Sequence, residues 1–209
     1  MKITTLMTAS VAALLASTAA NAQVVGSTGY DGTPYVSLSA AGLGGGSIAT
    51  LVGGTVYTSD EPFADIPKGG VFGSTFLAAG PTSGNTATLT FNPGYGYVSF
   101  LWGSPDKYNS LTITTANGFS QTFTAAGLAF AVTNGNQAFS QAVQFKAVAG
   151  DSLKTISFSN VPSQDAFEVA NFAVAGVPEA STWAMMLLGV GAVGGAMRRR
   201  RVRTSVSFA

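Results

Sequence analysis

Between residues 23 and 177 the sequence predicts an all-β fold, a single antiparallel β-sandwich with jelly-roll-like connections. Three observations carry this. Apolar residues there recur with period two rather than 3.6, the intervening positions are mostly Thr and Ser, and turn-forming pairs separate the runs at short intervals. The sandwich is flanked by two segments of different character, an N-terminal signal peptide and a C-terminal transmembrane helix.

Residues 1–22 read as the signal peptide. Lys2 and the α-amino group make the positive start, and Val11 to Ala16 form the apolar centre. Ala20-Asn21-Ala22 gives the small-x-small pattern that fits a signal peptidase pocket, so cleavage after Ala22 leaves Gln23 as the new N-terminus. The Sec translocon and signal peptidase are thereby implied as partners.

The next stretch, residues 24–54, is rich in Gly, Ser and Thr (Gly42-Leu-Gly-Gly-Gly-Ser47) and is expected to form a loosely packed first hairpin or mobile edge. Clear strands follow. Ala87, Leu89 and Phe91 alternate with threonines, and Leu111 and Ile113 do the same. Val143, Phe145 and Ala147 mark a further strand, then Ile156 with Phe158, then Phe167 with Val169. Tyr95 to Trp102 is more uniformly apolar, as a central strand would be. Turns are expected at Asn92-Pro-Gly, Asn117-Gly, Asn134-Gly and Ala149-Gly-Asp. An outer-membrane barrel is the alternative all-β fold, but it needs strands of about ten residues throughout.

Composition narrows the chemistry. The 209 residues include no Cys and no His. Thiolate metal sites, cysteine nucleophiles, disulfides and imidazole bases are all excluded. Charged residues make up only 9%, against roughly 25% in an ordinary soluble domain. Within 23–177, Lys68, Lys107, Lys146 and Lys154 face eight acids, a net charge of −4 without a basic patch, so nucleic acid is not an expected partner. Two carboxylates would suffice for a glycosidase, yet no pair stands out. A non-enzymatic protein without cofactors is expected.

The C-terminal segment carries the most specific signal. Val177-Pro178-Glu179-Ala180-Ser181-Thr182-Trp183-Ala184 leads into eighteen uncharged residues, Ala180 to Met197, followed by Arg198, Arg199, Arg200, Arg201 and Arg203. At ~1.5 Å per residue, eighteen residues reach about 27 Å, close to a bilayer core of ~30 Å. The arginines set topology by staying on the cytoplasmic side, with 204–209 as a short cytoplasmic tail and 23–177 outside.

This order of motif, apolar run and basic cluster over 178–203 resembles the PEP-CTERM sorting signal, in the variety with Trp-Ala entering the helix. The family's second proline is Ala180 here. The resemblance implies processing by an exosortase, a membrane-embedded cysteine transpeptidase-like enzyme of Gram-negative bacteria. An inner-membrane intermediate would be followed by a place at the cell surface or in the extracellular, exopolysaccharide-containing biofilm matrix. The segment Tyr97–Leu111, with its Trp-Gly-Ser-x-Asp-x-Tyr-Asn loop, and the strand Ala166–Val174 are similar to those of many exported domains that carry this signal. That likeness brings no established activity with it.

Two candidate sites remain in the middle segment. Trp102 and Tyr108 offer flat apolar faces and Asp106 and Asn109 offer hydrogen-bonding groups, a combination suited to a sugar of the extracellular polysaccharide. The alternative places Trp102 in the core, with Asp106 holding the turn. Asp60, Glu61 and Asp65 lie close enough in sequence to share a Ca²⁺ ion, but match no EF-hand spacing and read equally as a solvated acidic loop.

Overall fold

Alternating apolar and hydroxyl side chains form thirteen strands and one helix in the computed structural model, which describes residues 24–148, 150–177 and 180–199. The signal-peptide positions Ala20, Ala22 and Gln23 lie outside the described residues, as do Pro178, Glu179, Arg200, Arg201 and Arg203. In chain order the strands are β1 (Val24–Thr28), β2 (Leu38–Ser39), β3 (Gly42–Leu43), β4 (Ala49–Val52), β5 (Thr55–Tyr57), β6 (Phe76–Ala79) and β7 (Ala87–Phe91). Then come β8 (Tyr95–Gly103), β9 (Asn109–Thr115), β10 (Ser120–Phe123), β11 (Ser140–Ala147), β12 (Leu153–Asn160) and β13 (Phe167–Gly176), and the helix α1 (Ala180–Arg199).

Two antiparallel sheets result, ordered β1-β11-β8-β13-β6-β5 and β10-β9-β12-β7-β4-β3-β2. From β4 to β13 every connection changes sheet except the β5–β6 and β9–β10 hairpins. The two antiparallel sheets are those of the expected all-β fold. Both sheets keep free edges, so the strands do not close into a barrel.

Register explains the core. Leu111 and Ile113 of β9 sit opposite Phe158 and Ile156 of β12, which face Ala87 and Leu89 of β7 on the other side. Their period of two points all six inward. From the opposite sheet Val98, Phe100 and Trp102 of β8 alternate into the same core. Phe100 lies at its centre, 5.6 Å from the Phe145 ring, 5.5 Å from Phe172 and 5.4 Å, edge to face, from Phe158 of the facing sheet.

A second, smaller cluster covers the outer face of the six-stranded sheet. Phe76 and Ala78 of β6 and Ala170 of β13 are fully buried there beneath Ala64, Phe63, Ile66 and Val71. The segment between β5 and β6 therefore lies across this sheet as a lid. That is why β13 has its first four residues buried on both faces.

The glycine-rich beginning departs from expectation. Instead of a loose hairpin, β1 pairs with β11 far along the chain, and Leu43 and Ala49 belong to the main core with no exposed surface. Glycine serves close approach here. Gly42 has φ +116°, and a Cβ at that position would stand 2.0 Å from the Ala49 carbonyl oxygen. The turn expectations are met at Gly94, Gly118 and Gly150, all with positive φ, whereas Asn134 forms an isolated bridge with Asp106 in place of the turn expected at Asn134-Gly.

Candidate functional site

The strongest sequence candidate, Trp102 to Asn109, is the connection between β8 and β9. Its residues are brought together, but inward. Trp102 is 0% exposed, stacked on Phe167 at 4.3 Å and edge-on to Phe130 at 5.2 Å. No ring face is left for a ligand, which corrects the expectation of a sugar platform at Trp102. The cause is the period of two, which carries Trp102 inward after Val98 and Phe100.

Asn109 is the hub of the turn. Its Oδ1 accepts from the Asp106 backbone N–H at 2.7 Å and from Trp102 Nε1 at 3.4 Å. Its Nδ2 donates to Asn160 Oδ1 at 3.0 Å and to the Ala166 carbonyl at 3.3 Å. All its donor and acceptor capacity is directed into the protein. Tyr108 donates its hydroxyl to the Asp165 carbonyl at 2.6 Å, and burial, reinforced by Asp106, pushes its phenol well above the ordinary range. Asp106, expected to close the turn with its own side chain, meets Asn109 through its backbone: its N–H donates to Asn109 Oδ1 at 2.7 Å and its carbonyl accepts from the Asn109 N–H at 3.2 Å. The four residues, Trp102 and Asn109 buried and Asp106 and Tyr108 half-buried, form a staple joining the β8–β9 turn to the end of β12 and the start of β13.

Next to this staple lies a buried acid. Glu168 of β13 is 4% exposed and accepts a hydrogen bond from Ser104 Oγ at 2.7 Å. Burial pushes its carboxyl up to about 8, against opposing hydrogen bonds from Ser104 and the Asp65 amide, with Asp106 adding to the rise. At neutral pH it is mostly protonated. Period-two reasoning places Glu168 on the outer face of the sheet, but the lid that buries it is set more than a hundred residues earlier.

The acidic residues 60, 61 and 65 do not converge. Asp60 Oδ1 accepts from the Ile66 amide at 2.7 Å, while Glu61 and Ala64 close a tight backbone turn. Burial and then Asp60 raise the Asp65 carboxyl above its usual range. Among the described residues no group of three or more such side chains is placed to hold a metal ion.

One feature went unforeseen in the sequence. Tyr30 and Tyr35, with Phe72 from a distant part of the chain, form a row of partly exposed rings on the outer face of the six-stranded sheet. Neither periodicity nor motif links them.

At the far end of the domain β13 runs straight into the C-terminal segment. Gly176 pairs with Tyr95, and the Val177 amide donates to the Gly94 carbonyl at 2.7 Å, so the sheet holds the chain as far as Val177. A helix then occupies Ala180–Arg199, which includes Trp183, Ala184, Arg198 and Arg199. A family model for the PEP-CTERM protein-sorting motif matches residues 176–201. The chain carries a PEP-CTERM sorting motif. It implies export, an exosortase as processing partner and a membrane-associated sorting intermediate. The PEP-CTERM match begins at Gly176 and so overlaps the last paired residue of the β domain. No curated protein and no solved structure matches the chain. Among the described residues no helix is long and apolar enough to cross a membrane. The helix expected there is present, but Ser181, Thr182 and the glycines 189, 191, 194 and 195 dilute its hydropathy.

Proposed function

We propose that the protein is a non-enzymatic component of the cell surface or extracellular matrix of a Gram-negative bacterium. The Sec translocon exports it, and signal peptidase removes residues 1–22. The segment 180–197 then holds it briefly in the inner membrane with the arginines in the cytoplasm. An exosortase processes it at Pro178-Glu179-Ala180, next to the end of β13.

The observation that carries this reading is the sorting motif itself, whose match overlaps the end of β13. The helix supports the membrane stage. Met185, Met186, Leu187, Leu188, Val190, Val193 and Met197 are all exposed, on every side of α1. Apolar side chains exposed on every side of a helix are suited to lipid rather than water. The absence of Cys and His and the burial of Trp102 and Asn109 favour a structural over a catalytic role.

Mass spectrometry of the mature protein from the surface fraction tests the proposal. The expected mass lacks residues 1–22 and the helix with its arginines. A surface-fraction protein intact through Arg203 would overturn it. Restoring the family's second proline with Ala180→Pro is expected to raise the processed fraction in a pulse-chase experiment, because proline keeps the motif extended at the helix entrance. An unchanged or lower rate would count against processing at this motif.

A further inference from the structure

We propose that Tyr30, Tyr35 and Phe72 form a binding platform for an uncharged polysaccharide chain. The three rings make a continuous stepped row. Tyr30 and Tyr35 have centroids 5.1 Å apart with planes at 30°, and Tyr35 and Phe72 are 5.9 Å apart at 52°. They are 38%, 37% and 48% exposed, so each presents part of a face or edge to solvent. The apolar C–H face of a sugar ring stacks on such surfaces while its hydroxyl rim stays solvated.

The row is held from below, which limits the ordering entropy lost on binding. Tyr35 forms a β-bridge with Ala173 of the central strand β13, and the following amide, of Val36, donates to the Phe172 carbonyl at 2.7 Å. Asn171, also on β13, has φ 56°, a left-handed conformation that Asn tolerates better than most residues. That turn aims its amide outward. Its Oδ1 accepts from the Phe72 backbone N–H at 2.6 Å and its Nδ2 donates to the Gly70 carbonyl at 2.9 Å. At the other end, Asp31 Oδ1 accepts from both the amide and the hydroxyl of Thr33, and the Tyr30 hydroxyl donates to the Thr33 carbonyl. A cleft of about 30 Å³ opens between Tyr30, Tyr35 and Asn171. Its floor includes Ser99, 1% exposed, whose hydroxyl has no partner at normal hydrogen-bond distance. A buried hydroxyl without a partner beneath exposed rings suits a ligand that carries hydroxyls of its own.

Size and charge select the occupant. Three rings each about two-fifths exposed offer on the order of 200 Å², far below the roughly 800 Å² per partner of a stable protein interface. A second copy of the chain is therefore a poor fit, whereas a narrow polymer making repeated small contacts matches the row. The hydrogen bonds from Thr33, with the nearby charge of Lys146, hold the Asp31 carboxyl below its usual range, so this rim balances one acid against one lysine and offers no basic patch for a uronic or sulfated chain.

Affinity electrophoresis of the full-length protein tests this in gels cast with hydroxyethylcellulose, galactomannan or dextran, with alginate as the polyanion. We expect retardation in at least one neutral gel. Tyr35→Ala and Phe72→Ala should weaken it at least tenfold, while Tyr35→Phe, which keeps the ring, should retain it. Circular dichroism and thermal melting should match the parent for all three. No retardation by any neutral glycan would overturn the proposal. So would retardation by alginate alone, or retardation unchanged in both alanine variants. Self-association by light scattering that Tyr35→Ala abolishes would overturn it in favour of a contact between copies. The unprocessed chain serves in every arm, so failure here leaves the processing pathway untouched.

Discussion

Glu168→Gln is expected to stabilise the protein markedly at pH 9 and to leave it nearly unchanged at pH 4. The carboxyl stands at about 8 in the folded protein against an ordinary value of 4.5. Below the lower value both states are protonated and ionisation costs nothing. Between the two values the unfolded chain releases its proton while the folded chain retains it. The unfolded state then binds fewer protons, and stability falls as pH rises. The loss is complete above the folded value. At ~1.36 kcal/mol per unit the whole span is on the order of 5 kcal/mol, a large share of the ~5–15 kcal/mol that holds a domain together. Gln presents a neutral Oε1 to the same donors, Ser104 and the Asp65 amide, so the hydrogen bonds survive while the titration disappears. Urea unfolding at several pH values from 4 to 9 measures this. Curves of stability against pH that run parallel for the parent and the Gln variant would sink the argument.

Trp102→Ala is expected to cost about 3–5 kcal/mol, through the cavity it opens against Phe167 and Phe130. Asn109→Ala is expected to cost about 1–3 kcal/mol for the polar groups it leaves unpaired, above all the Asp106 amide and the Asn160 side chain. The double variant should lose less than the sum of the two, because the Trp102 Nε1 bond to Asn109 is counted in both. Denaturant midpoints for the three variants provide the test. A Trp102→Ala protein within about 1 kcal/mol of the parent would mean that the ring is not packed as described.

Which parts of this fold are legible in the sequence follows from which faces meet water. β7, β9 and β12 are readable because Thr88, Thr90, Thr112, Thr114, Ser157 and Ser159 mark their outer face, leaving an unbroken alternation. β8 and β13 blur that pattern, since one face enters the main core and part of the other lies under the lid. The burial of Trp102 was available from the parity of Val98 and Phe100, but its position beside a polar loop made an exposed role look equally natural. Glu168 illustrates the opposite case. Its burial depends on Ala64, Ile66 and their neighbours crossing the sheet, and nothing local to β13 encodes that crossing. The Tyr30, Tyr35 and Phe72 row is non-local for the same reason. The sorting motif is legible because such a signal is read from the linear chain.

The position of β13 has a consequence for timing. It is the last strand before the sorting segment, yet it sits in the middle of its sheet between β8 and β6. A chain delivered N-terminus first brings β1 to β12 across before the strand that joins them. Until then β6 and β8 face each other with open edges and Trp102 lacks the ring that stacks on it. Closure of the domain is thus clocked by the final residues to emerge, and a pause at the sorting segment would catch the chain at the point where its last missing strand becomes available.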